Sequence, residues 1–330
     1  MTRWAVLGAG AWGTTFAQVL ADSGAQVTVW ARREEIADRI AAKHRNPDYL
    51  GEHELPAAVT ATSRPEEALE GADAVAVAVP AQQLRATLGS FASPLPAVPQ
   101  LSLVKGIERG TDARVSEIIA EAGRVDPALV GVLSGPNLSA EILQRRPCGS
   151  VIAFPDAARA AAVAEACAAP YLRGYTSADV TGVEIAGAVK NVIAIAVGAA
   201  TGLGHGHNTT ASLITRGLAE ITRLGVALGG HRETFAGLAG MGDLVATCSS
   251  PLSRNHRLGL ALGQGLDVEA AAERVGSTAE GVATARAVAS LAERLGVDMP
   301  ITRSVVAVVD DGARIDQVTA ALLSRSVRPE

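Results

Sequence analysis

The stretch Trp4-Ala-Val-Leu-Gly8-Ala-Gly10-Ala-Trp12-Gly13 decides the fold. Residues 4–7 read as a short buried strand that runs straight into GxGxxG, and a helical pattern follows over residues 14–22. In that setting the first glycine makes the tight turn, the second lets backbone approach a pyrophosphate, and the third lets helix and strand pack closely. The phosphate then lies at the helix N-terminus, where unpaired N–H groups and the helix dipole favour an anion. GxGxxG alone is a weak signal, since a tight turn that binds nothing has the same letters. A second strand over residues 26–30, at βαβ distance, makes dinucleotide binding the stronger reading.

At the end of that second strand a carboxylate usually takes the 2′-hydroxyl of NAD. Here the sequence is Val29-Trp-Ala-Arg32-Arg33. Two guanidiniums at that place can fork onto a 2′-phosphate, which favours NADP(H), with NAD(H) as the second choice. The structural alternative is a solvated helix start, helped by Glu34 and Glu35 in the first turn.

Strands and helices then alternate. The run 73–79 is continuously apolar after its first residue and is stopped by Pro80, as expected of a strand buried on both faces of a parallel sheet. Residues 101–104 form another strand that ends in Lys105-Gly106, and 129–133 repeats the theme, ending in Ser134-Gly135-Pro-Asn137. In doubly wound sheets ligands bind beyond the carboxyl ends of strands, which puts Lys105 and Asn137 on the ligand side. Taken singly, each is more often an ordinary turn residue. A strand at 150–154 and an alanine-rich helix at 156–168 finish the alternation.

Beyond residue 177 no strand signal remains, and helical patterns cover the Lys190 stretch, 210–228, 254–262, 268–275, 278–295 and 314–323; residues 324–330 read as a polar tail. The expected class is therefore α/β, with an N-terminal Rossmann-type doubly wound sheet at 1–178 as the dinucleotide-binding domain. An all-α C-terminal domain at 179–330 follows as the substrate domain, with a cleft between the two.

Within the helical half, residues 183–199 form an apolar run with one lysine inside it, Lys190. A helix apolar all round is buried, and a buried ammonium must find a partner or lose its proton. At about 100° per residue, Val183, Ala186, Gly187, Ala194 and Val197 share the lysine's face. Small neighbours leave room there, which suits a catalytic lysine facing a cavity; a structural lysine paired with a carboxylate fits equally well. Further on, Gly237-Leu-Ala-Gly-Met-Gly242-Asp243 is a glycine-rich bend presenting a carboxylate, and Ser253-Arg254-Asn255 stands where a helix starts, with Ser253 as its N-cap. A helix N-terminus beside an arginine fork suits an anion. Asp243 as a turn residue and Arg254 on a solvated face are the plainer alternatives.

Composition narrows the classes. Of 330 residues 48% are hydrophobic and only 3% aromatic, so the core is built from aliphatic side chains. A net charge of −5 argues against a generic nucleic-acid binder. Three widely spaced cysteines, Cys148, Cys167 and Cys248, give no disulfide framework or metal spacing and are expected as buried free thiols. His205 and His207 alternate on a glycine-rich loop without an evident third ligand, so no metal is expected. No signal peptide or membrane span is read, because Lys190 interrupts the best apolar run, and a cytoplasmic protein is expected. The long apolar helices leave a homodimer open.

Taken together, these pieces resemble the bacterial-type NAD(P)-dependent glycerol-3-phosphate dehydrogenase family. The resemblance rests on GAGAWGT from Gly8, SLVKGIE from Ser102, SGPN from Ser134, AVKNVIAIA from Ala188, ITRGLAE from Ile214, AGMGDLVATC from Ala239, SRNHRLG from Ser253 and AEG from Ala279, in family order. It implies reduction of dihydroxyacetone phosphate to sn-glycerol 3-phosphate, reversibly. Lys190 matches the family's proton-transferring lysine and Lys105 a second lysine contacting substrate and cofactor. Asp243 and Asn255 match substrate-contacting positions, with Asp243 set to orient and tune the lysine's ammonium. Arg254 matches the phosphate-binding arginine, which also meets the cofactor, with Ser253 beside it. Gly135 and Asn137 match the substrate loop. Ser139, Ala11, Trp12, Arg32, Arg33, Thr278 and Glu280 match cofactor positions, alongside Gly8, Gly10 and Gly13. One departure is His205-Gly-His207-Asn-Thr-Thr210, where the family has an aromatic, an aspartate and a basic residue. A related 2-hydroxyacid or ketopantoate-type reductase would also carry a Rossmann half, a helical half and a lysine, but has no need of the SRN site. A non-catalytic NADP(H) sensor would keep the glycines and could lose Lys190 and Asp243.

Overall fold

The computed structural model describes residues 2–276 and 280–323. Eight strands, β1 (Arg3–Leu7), β2 (Gln26–Trp30), β3 (Val59–Thr62), β4 (Ala74–Val77), β5 (Gln100–Ser102), β6 (Val130–Ser134), β7 (Cys148–Ala153) and β8 (Leu172–Ser177), form one sheet in the order β3-β2-β1-β4-β5-β6-β7-β8. Pairing is parallel from β3 across to β6, antiparallel between β6 and β7, and parallel again between β7 and β8. The first six strands thus have the doubly wound dinucleotide-binding order, whose direction reverses between β1 and β4. All four residues of β4 are buried, as its apolar run requires. Two strands carry almost no such run. β3 (VTAT) buries only Val59 fully, and β8 (LRGYTS) only Leu172, because both lie at sheet edges where one side meets water.

The chain divides into two compact units, Met1–Lys105 with Arg114–Glu184, and Gly106–Ala113 with Ile185–Glu330. The core of the first is built on Trp4, Phe16, Leu20, Leu101, Ile152 and Phe154, all at most 2% exposed. In the second, every described element is helical. The helix Val180–Gly202 buries one side against Ile221, Leu224, Phe235, Leu244 and Leu291 and another against Leu258, Leu262, Ala285 and Val305. It is the one helix among the described residues long and apolar enough to cross a membrane, and it is buried within the protein.

Its packing against the helix Arg254–Gly263 is backbone to backbone. A Cβ on Gly198 would collide with the His256 carbonyl oxygen, and one on Gly259 with that of Ile195; Gly202 and Gly263 are equally tight against each other's helix. The helix Pro300–Val309 lies in a stretch without a distinct sequence signal and begins with proline at its first turn. Its first N–H groups are met from a distance. Glu220, 1% exposed, accepts from Ile301 N–H at 2.7 Å and from Thr302 N–H at 3.2 Å. The cysteines are free thiols; Cys167 and Cys248 are buried as expected, whereas Cys148 at the start of β7 is only half-buried. Position 278 and the tail 324–330 lie outside the described residues.

Candidate active site

In the first unit the glycine loop has a distinct geometry at each glycine. Gly8 adopts φ +116°, which L side chains rarely adopt, and its Cβ would stand 2.9 Å from the Ala78 carbonyl group. A Cβ on Gly13 would collide with the Gly8 carbonyl oxygen and lie 2.9 Å from the Ala78 methyl, so helix and strand meet there without a spacer. Gly10, by contrast, has nothing within 4 Å of where its Cβ would be. No side chain caps the helix Ala11–Asp22 at Gly10, so the N–H groups of its first turn have no capping acceptor. The Trp12 indole N–H is also buried without a partner. Open space beside uncapped donors fits a dinucleotide pyrophosphate.

Sequence reasoning missed a residue that braces this loop. Asn46, 1% exposed, donates from Nδ2 to the Ala9 carbonyl and to Thr14 Oγ1, both at 2.9 Å. It reaches across 37 positions, so no local pattern signals it. After β2, Arg32 and Arg33 are both exposed. Arg33 Nη2 lies 3.1 Å from Asp48 Oδ2 and 3.5 Å from the Tyr49 hydroxyl, whereas Arg32 makes no ion pair among the described residues.

Beyond the carboxyl ends of β5 and β6, the structure brings Lys105, Gly135 and Asn137 together. Lys105 Nζ donates to Asn137 Oδ1 at 2.7 Å and to the Gly135 carbonyl at 3.2 Å. Asn137 Nδ2 is buried with no acceptor, so an oxygen-bearing ligand would satisfy it. Ser139 is half-buried and opens the short helix Ser139–Leu143.

In the second unit, Lys190 Nζ lies 2.5 Å from Asp243 Oδ1 and 2.6 Å from Thr247 Oγ1. The irregular turn Leu238–Gly242 leads directly into the helix Asp243–Ser249, and the i, i+4 spacing puts Asp243 and Thr247 on one face toward the lysine. The room that small residues leave around Lys190 is thus partly taken by a carboxylate and a hydroxyl. Thr247 was not singled out from sequence, although that spacing within AGMGDLVATC is the signal that marks it. Burial pushes the neighbouring Cys248 thiol up to about 12.

Ser253 caps the helix Arg254–Gly263, accepting from His256 N–H at 3.2 Å. Arg254, the first residue of that helix, is exposed. Asn255 is buried, and its Oδ1 accepts from Gly281 N–H at 3.0 Å at the start of the helix Glu280–Arg294. A Cβ on Gly281 would stand 2.8 Å from both Asn255 Oδ1 and the Asn191 carbonyl oxygen. Ser253-Arg254-Asn255 therefore packs beside the residue that follows Lys190, and Glu280 joins the same corner.

A dinucleotide-type α/β unit and a helical unit with a buried, hydrogen-bonded Lys–Asp pair define a nicotinamide-dependent dehydrogenase. Family models described as NAD-dependent glycerol-3-phosphate dehydrogenase N-terminus and C-terminus match residues 3–160 and 179–320. The chain belongs to the NAD-dependent glycerol-3-phosphate dehydrogenase family. It is 52% identical over 332 residues to the glycerol-3-phosphate dehydrogenase [NAD(P)+] of Corynebacterium glutamicum (strain R), covering 100% of both chains. The crystal structure of a glycerol-3-phosphate dehydrogenase from Coxiella burnetii superposes with a TM-score of 0.91 at 34% identity, covering 98% of this chain and 99% of that one. A ketopantoate reductase from Ralstonia eutropha JMP134 shares the fold alone, with a TM-score of 0.57 at 19% identity over 96% of this chain and 100% of that one.

Proposed function

We propose that this protein reduces dihydroxyacetone phosphate to sn-glycerol 3-phosphate with NAD(P)H, reversibly, in the cytoplasm, and that the product feeds glycerophospholipid synthesis. The observation that carries the reading is the sealed Lys190–Asp243–Thr247 cluster, an acid whose direction is fixed by two oxygens. Bound NAD(P)H supplies a hydride to the ketone carbon. Lys190 gives a proton from Nζ to the carbonyl oxygen as negative charge develops on it, and takes it back in the oxidation. Asp243 and Thr247 aim the ammonium. Because both oxygens are already in place, that aim needs no rearrangement during the step.

The remaining roles follow from donor chemistry. Arg254 forks onto the substrate phosphate and also meets the cofactor, with Ser253 and Asn255 beside it. Lys105, held by Asn137 and the Gly135 carbonyl, serves both substrate and cofactor. Gly8, Gly10, Ala11, Trp12 and Gly13 hold the pyrophosphate, Ser139 and Glu280 contact the nucleotide, and Thr278 belongs to the same set although it lies outside the described residues. Arg32 and Arg33 favour NADP(H). A homodimer without nucleic-acid partners completes the reading, and light scattering tests it.

The test is loss of NAD(P)H absorbance with dihydroxyacetone phosphate, run with each nucleotide and against unphosphorylated dihydroxyacetone and ketopantoate. Turnover that depends on the phosphate is expected. Equal turnover of ketopantoate, or none with any ketone, overturns the assignment.

A further inference from the structure

The end of β2 lacks the carboxylate that takes an NAD ribose, and the fold brings one to Arg33 from another segment. Asp48 lies on the short helix Pro47–Leu50, with Oδ2 at 3.1 Å from Arg33 Nη2 and Oδ1 at 2.6 Å from Arg39 Nη1. The Tyr49 ring centroid is 6.0 Å from the Arg33 guanidinium carbon. Two residues earlier in the same segment, Asn46 is tied to the Ala9 carbonyl and Thr14. Asp48 is thus held in register with the pyrophosphate loop.

We infer that Asp48 determines cofactor selection by opposing the two arginines. The inference rests on the nucleotide reading of Arg32 and Arg33 proposed above. A 2′-hydroxyl can donate to the Asp48 carboxylate, which supplies NAD(H) with the acceptor that the strand end lacks. A 2′-phosphate meets the opposite situation. It is repelled by the carboxylate and must draw Arg33 out of an existing ion pair before the guanidinium can fork onto it. Both effects weigh against NADP(H), so Asp48 narrows the advantage that the arginines confer and keeps either nucleotide usable. Arg32, which makes no ion pair among the described residues, carries the larger share of phosphate recognition.

The experiment measures dissociation constants for NADPH and NADH by calorimetry on the full chain, without substrate, in the parent, Asp48→Asn, Asp48→Ser, Arg32→Ala, Arg33→Ala and Arg39→Ala. Asp48→Asn and Asp48→Ser are expected to shift the affinity ratio toward NADPH by about tenfold, as removal of one close charge allows, with NADH binding weakened outright. Arg39→Ala breaks the other exposed pair of Asp48 and is expected to leave the ratio unchanged. If Arg33→Ala changes the ratio but both Asp48 variants leave it alone or move it toward NADH, Asp48 only orients the arginine and the inference is wrong. An Arg39→Ala shift equal to that of Asp48→Asn makes the effect a general loosening of the segment and also overturns it. If Arg33→Ala and Arg32→Ala both leave the ratio unchanged, the reading of the arginines fails and takes the inference with it.

Discussion

Lys190 and Asp243 stand 2.5 Å apart with 6% and 2% of their side chains exposed, which makes them a desolvated ion pair rather than a surface one. Removing one partner leaves the other buried without compensation. Asp243→Ala is expected to lower stability by roughly 3–5 kcal/mol, while Lys190→Met combined with Asp243→Leu recovers most of the loss. Urea unfolding of the single and double variants measures this, and a double variant no more stable than Asp243→Ala contradicts it.

Lys190→Ala is expected to reduce turnover by at least roughly a hundredfold, the usual effect of losing a positioned general acid. Single-turnover hydride transfer at near-normal speed assigns the lysine a structural task instead.

Arg254→Lys keeps the charge and loses the planar fork. KM for dihydroxyacetone phosphate is expected to rise with little change in the affinity for an unphosphorylated ketone. Steady-state kinetics with both substrates decide, and an unchanged KM removes Arg254 from the phosphate site.

Arg32→Ala together with Arg33→Ala is expected to weaken NADPH binding more than NADH binding, since only one nucleotide carries the 2′-phosphate. Equal losses in a fluorescence titration mean that the arginines act only on the fold.

Burial pushes the Glu220 carboxyl up from 4.5 to about 7, outweighing the pull of the Ile301 and Thr302 donors and of Arg223. Between those values the folded protein holds a proton that the unfolded chain has released. This group's contribution is therefore complete below the lower value and is lost as pH rises through about 7. The loss amounts to about 3 kcal/mol. Unfolding free energies measured from pH 5 to 8 are expected to decline in the parent and to lack that component in Glu220→Gln; parallel profiles refute it.

Most of the fold was legible because buried parallel strands are written as uninterrupted apolar runs and the glycine loop is contiguous. β3 and β8 escaped because an edge strand needs only one dry face, and each buries a single residue fully. The candidate site divides the same way. Lys190, Asp243 and Ser253-Arg254-Asn255 stand in compact motifs, each with a physical signature of its own. On the residues alone the carboxylate partner of Lys190 was open, because the two lie 53 positions apart; only the family resemblance pointed to Asp243. Asn46 and Asp48 are ordinary loop residues by every local criterion, and only the folded chain sets them against Ala9 and Arg33.

The glycine contacts between the helices Val180–Gly202 and Arg254–Gly263 bear on how the enzyme can be re-engineered. With main chain on main chain at Gly198, Gly202, Gly259 and Gly263, no side chain can be trimmed to slide one helix along the other. The span from Lys190 to Arg254, the proposed proton donor and phosphate ligand, is a fixed gauge. Selection for longer or unphosphorylated ketones is therefore expected to draw its gains from exchangeable side chains at 250–255, the segment that leads into and starts the helix Arg254–Gly263, while saturation libraries at the four glycines are expected to return inactive clones. The substrate range of this scaffold is tuned at its fittings, with the frame left alone.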